Sequence, residues 1–122
     1  MPGKIGWIDL TVDNAEETRD FYQAVADWES SGVDMGDYED FCVMPKGTED
    51  AIAGICHRRG PNESMPGGWL IYIVVDDLEQ SRAKCLEMGG KIIVETRDLG
   101  PGGKFCVIED PSGAHAALFQ SN

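Results

Sequence analysis

Four polar side chains stand in otherwise apolar, alternating runs of this 122-residue chain: Asp9 in WIDLTV, Cys56 in IAGICH, Tyr72 in WLIYIV and His115 in AHAALF. A carboxylate in such a run is costly unless it is solvated, paired or used. Used, Asp9 would hold a ligand or act as a general base, with a shifted pKa as its mark; otherwise it is a solvated strand residue. His115 has the chemistry of a general acid or base near neutral pH, although a lone strand histidine also fits a packed or surface role. Cys56 lies next to His57, but strand neighbours point to opposite faces, so the two do not form a nucleophile and base pair; an inert buried thiol is the plainer reading. Asp9, Cys56 and His115 would make a metal site only if folding happened to converge them.

The elements that must position these residues are written twice. Trp7 to Trp28 reappears as Leu70 to Lys91, an offset of 63, with Val12 on Val75, Asp13 on Asp76, Glu16 on Glu79 and Arg19 on Arg82. Phe41-Cys42-Val43 matches Phe105-Cys106-Val107 at an offset of 64, and Ile52 to Ile55 matches His115 to Leu118 at 63 again. The alternation of Lys4 to Val12 predicts a strand with Ile8, Leu10 and Val12 on one face and Trp7, Asp9 and Thr11 on the other. A helix capped by Asp13 or Asn14 runs to about Asp27, and strands follow near Trp28 to Asp34, Tyr38 to Met44 and Ala51 to His57. The second copy gives strand Trp69 to Val75, helix Asp77 to Met88 closed by Gly89-Gly90, then strands Lys91 to Arg97, Gly103 to Glu109 and Ala114 to Gln120. Asp110-Pro111-Ser112-Gly113 is a tight turn, and GPGGK, Gly100 to Lys104, lacks the P-loop spacing and reads as a hairpin turn. Each half is βαβββ: one α+β domain over residues 1–122, with module one at 4–57, a linker at 58–68 and module two at 69–120.

The bulk numbers narrow the partners. Ten Lys and Arg against 22 Asp and Glu give a formal charge of −12, the wrong sign for a phosphate-binding surface. His57, Arg58 and Arg59 form the one basic cluster, too small to bind nucleic acid. No apolar run suits a membrane span or a signal, and the four cysteines are far apart without CxxC pairing, which fits reduced thiols in a cytoplasmic protein.

Two βαβββ modules, with FY closing the first helix and DPSGAHAALFQ at the end, resemble the vicinal oxygen chelate superfamily: glyoxalases, extradiol dioxygenases, fosfomycin-modifying enzymes and bleomycin-resistance proteins. The runs GWIDLTVDNAEETRDFY, WLIYIVVDDLEQSRAKCLEMGGKI and GGKFCVIEDPSGAHAALFQ look most like its glyoxalase-related branch. The resemblance implies a mixed β-sheet curled into a cup, with a divalent ion held by one residue on the first and one on the last strand of each module. Carried over, those positions fall on Trp7, Gly54, Leu70 and Ala117, none of which offers a metal a lone pair. The expectation is therefore a small-molecule-binding protein without metal or other cofactor, its ligand held in the cleft between modules by Trp7, Asp9, Cys56, Leu70, Tyr72, His115 and Phe119. No Lys or Arg falls at these cup-facing positions of the first and last strands. The resemblance also implies a homodimer. The alternative is a lyase, isomerase or dioxygenase-like enzyme, using displaced metal ligands or metal-free acid and base chemistry by Asp9 or His115.

Overall fold

The computed structural model describes residues 2–122. Its elements run β1 (Ile5–Val12), α1 (Ala15–Ala26), β2 (Trp28–Asp34), β3 (Glu39–Pro45), β4 (Ala53–His57), β5 (Gly68–Val74), α2 (Leu78–Glu87), β6 (Lys91–Asp98), β7 (Lys104–Glu109) and β8 (His115–Gln120). The α+β class and the doubled βαβββ order are those the sequence predicts.

The chain divides into two compact units. In the unit Ile8–Trp69 the strand order is β2-β3-β4-β1, with β1 and β4 parallel and the other pairs antiparallel. The other unit joins Leu70–Asn122 to the N-terminal residues through Trp7; its order is β5-β8-β7-β6, with β5 and β8 parallel. The N-terminal residues belong there because the Gly3 amide donates to Val74 O at 2.7 Å and the Val74 amide to Lys4 O at 2.8 Å.

Strand alternation builds one core per unit. Leu10, Phe41, Val43, Ala53 and Ile55 point toward α1 and close on Ala15, with Ile8, Val12, Tyr22 and Trp28 at the margin. Cys106 and Leu118 do the same toward Leu78 of α2, flanked by Ile73, Val75 and Ile108. In both units the predicted parity of the first strand holds. The helix ends also follow the sequence. Asp77 caps α2 by accepting the Gln80 amide at 3.1 Å, and Gly89 takes φ +93 beyond its end. Asn14 occupies the cap of α1, but its side chain engages Glu17 and Thr18 rather than an open backbone N–H.

Within residues 58–68, Gly60–Asn62 forms a short 3-10 helix, Met65 is buried, and the Arg58 side chain donates to Met65 O at 3.1 Å. One expectation is corrected: His57 does not belong to a basic surface cluster. It is buried beside Asp40, whose carboxylate accepts the His57 backbone N–H at 2.8 Å and lies 3.2 Å from Nδ1.

Candidate functional site

Each unit has a sheet face turned away from its helix, and the candidate residues are distributed between those two faces. In the unit Ile8–Trp69 the register pairs Asp9 with Gly54 and Thr11 with Cys56, while Cys42 on β3 also pairs with Gly54. Directly paired residues share a face, so Asp9, Thr11, Cys42, Gly54 and Cys56 stand together. Gly54 makes this packing possible: a Cβ there would lie 2.3 Å from Asp9 Oδ1. The Asp9 carboxylate thus occupies the space where a side chain at position 54 would begin. Burial, and then the negative charge of Asp9, push the Cys56 thiol far above its usual range, and the same two causes raise Cys42. A thiol so held stays protonated and is neither a good nucleophile nor a ready metal ligand.

In the second unit Tyr72 pairs with Ala117 and Val74 with Phe119, while Phe105 pairs with Phe119 and Val107 with Ala117. This gives an apolar floor of Val107 and Ala117, both fully buried, walled by Tyr72, Phe105 and Phe119. The Tyr72 and Phe105 rings are 5.7 Å apart. Leu70 belongs to the packed interior at 2% exposure, and Trp7 is half-buried on β1. His115 is exposed at the start of β8, paired with Glu109, its Nε2 3.3 Å from Glu109 Oε1; Lys91 Nζ is 3.7 Å from the other oxygen of that carboxylate. The structure therefore brings Asp9 and Cys56 together on one face, and Tyr72 and Phe119 together on another.

Arg97 and Phe105 join this second face without having been singled out from sequence. The repeat match to Phe41 does not give Phe105: Phe41 faces α1 in its unit, whereas Phe105 pairs with Phe119 on the helix-free face and Cys106 takes the helix-side place. Arg97 shares the face of Lys91 by simple alternation, and the irregularities of β6 decide only that it stands opposite Phe105. Strand β6, outside the first- and last-strand positions considered from sequence, adds a cation to this face: Arg97 pairs with Phe105.

The positions at which a superfamily metal would be held do not fit one. Trp7, Leu70 and Ala117 offer no donor, and the space above Gly54 is taken by a carboxylate from the neighbouring strand. Among the described residues, no three His, Cys, Asp or Glu side chains are grouped closely enough to hold an ion. Three open grooves lie elsewhere. One of 420 Å³ runs along α2 and is lined by Gln80, Lys84, Cys85, Met88, Ile108 and Leu118; the others flank β1 near Arg58 and near Phe21. Also among the described residues, no helix is long and apolar enough to cross a membrane.

Comparison with known proteins agrees with this architecture. "Putative glyoxylase CFP32" of Mycobacterium tuberculosis is 32% identical over 112 residues, covering 92% of this chain and 42% of that protein. "Anthracycline biosynthesis protein DnrV" of Streptomyces peucetius is 27% identical over 130 residues, covering 98% of this chain and 47% of that protein. The chain spans less than half the length of either relative. The Mn(II)-bound glyoxalase from Novosphingobium aromaticivorans shares the fold, with a TM-score of 0.61 at 18% identity, over 98% of this chain and 39% of that one. A family model matches residues 4–118, and the chain accordingly belongs to the Glyoxalase/Bleomycin resistance protein/Dioxygenase superfamily.

Proposed function

We propose that this chain is a small-molecule-binding member of the superfamily that works without a metal ion, as a cytoplasmic homodimer, holding its ligand against the helix-free sheet faces. The observation that carries this reading is the Asp9 carboxylate seated over Gly54, in the space a last-strand metal ligand would need. The aromatic walls Tyr72, Phe105 and Phe119 supply what small-molecule sites usually contain, broad apolar surface with few polar groups. The name of DnrV ties one relative to anthracycline biosynthesis. For the dimer, Phe21 and Val25 on α1 and Trp69 leave apolar surface exposed, of a kind that a second copy would cover.

A second reading, metal-free proton transfer by Asp9 or His115, draws on the Glu109 carboxylate beside His115, which would orient the ring.

The metal-free reading is tested by elemental analysis of protein purified without chelators, offered Zn, Ni, Mn and Fe(II) in turn, and dialysed. Retention far below one ion per chain is expected. A stoichiometric ion, lost on Asp9→Ala, would overturn the reading and restore a displaced metal site.

A further inference from the structure

Strand β6 reaches its edge position with two irregularities. Ile92 pairs with Ile108, but Val94, not Ile93, pairs with Val107, and Arg97, not Thr96, pairs with Phe105. Each shift inserts one extra residue on β6 and reverses the face on which the following residues fall. The first leaves Ile93 exposed and sets buried Val94 on the aromatic face. The second takes up Glu95 and Thr96. Both engage Arg82 of α2, Glu95 through its carboxylate at 2.8 Å and Thr96 through its hydroxyl, which marks them as helix-side residues. Arg97 then comes down on the opposite face, half-buried, in a row that runs Arg97, Phe105, Phe119, Val74 across four strands. The two reversals cancel, so Arg97 stays on the face of Lys91, and their net effect is to slide it along β7 until it stands opposite Phe105 instead of Gly103.

We propose that Arg97 is the anion anchor of this face, so that its preferred ligands are flat aromatic compounds bearing a carboxylate. The proposal rests on the small-molecule reading and adds to it the class of ligand. A guanidinium offers a planar fork of donors matched to a carboxylate, and the part-exposed rings of Phe119 and Tyr72, backed by buried Phe105, would stack the attached ring. Arg97 is already engaged by other groups of the protein, and the ligand's carboxylate joins or replaces that interaction. The chain's charge of −12 opposes anions at a distance but is screened beyond about 8 Å at physiological ionic strength, whereas the Arg97 contact acts at hydrogen-bond range. The other charged groups on this face, Lys91, Glu109 and His115, pair among themselves at the opposite end of the strands.

The experiment compares naphthoate, its neutral isostere naphthamide and the cationic naphthamidine by calorimetry, on the full chain and on Arg97→Gln and Arg97→Lys. The wild type should bind naphthoate about tenfold or more tighter than naphthamide. Arg97→Gln should bring that ratio to about one with naphthamide affinity unchanged, which also shows that the variant is folded, and Arg97→Lys should fall between. Equal binding of all three probes, a preference for naphthamidine, or a naphthoate preference that survives in Arg97→Gln would overturn the role of Arg97 while leaving the small-molecule reading intact. Failure of every probe to bind would remove that reading, and this one with it.

Discussion

Gly103→Ala is expected to destabilise the fold by about 3 kcal/mol or more, measured as a loss of unfolding free energy in denaturant. Gly103 is buried, with φ +107 and ψ −154, a region that residues with a Cβ essentially do not occupy. Its surroundings add a second cost. A Cβ would lie 2.3 Å from Gln120 O and 3.1 Å from both Phe119 Cζ and Ser121 Cα. Two of these three atoms are backbone, so relief requires β8 to move, and Phe119 would move with it. Gly102 next door is the control: its Cβ would meet only Leu99 Cβ at 3.6 Å, an ordinary contact, and Gly102→Ala should change stability by roughly 0.5 kcal/mol or less. Equal effects at the two positions would contradict this account of the loop, which is a closed backbone crossing and not a free flap.

Asp40→Ala should cost about 2–4 kcal/mol. The Asp40 carboxylate is 4% exposed and serves both the His57 amide at 2.8 Å and the His57 ring at 3.2 Å, while the other ring nitrogen lies 3.7 Å from Glu16 in the first turn of α1. Truncation strips a buried N–H and a buried imidazole of their acceptor at once. Asp40→Asn keeps one acceptor oxygen and should lose roughly half as much, because the amide N–H is still satisfied. Thermal or chemical unfolding of the pair checks the order; a null effect of the alanine variant would mean the His57 contacts are dispensable.

The particular residues explain why some of this architecture was legible in sequence and some was not. The repeat and the parity of β1 both depend on local periodicity, so Leu10 in the core and Asp9 on the opposite face followed from spacing alone. Gly89 and Asp77 announced the ends of α2 for the same reason: their chemistry acts within one turn. His57 was hidden because its partner Asp40 is 17 residues away, and nothing in IAGICHRR tells a buried histidine from a surface one. Met65 was hidden in the same way, an apolar residue in a run of turn formers. Strand β6 shows the limit most clearly. Strict alternation from Lys91 carries Ile93, Glu95 and Arg97 to one face, but the two bulges expose Ile93, turn Glu95 to Arg82 and, because their reversals cancel, return Arg97 to the face of Lys91, opposite Phe105 instead of Gly103. In sequence Gly54 is only a position without a donor; that its missing Cβ seats Asp9 follows from the register of two strands more than forty residues apart.

The central claim, a metal-free small-molecule site on the helix-free aromatic face, is tested most directly by two-dimensional amide NMR of the protein titrated with naphthoate in the presence of EDTA. The account predicts saturable shifts concentrated on Tyr72, Phe105 and Phe119, with little change at Gln80, Lys84 and Met88 along the α2 groove. Shifts that cluster on that groove, or that appear only after a divalent metal is added back, would contradict it.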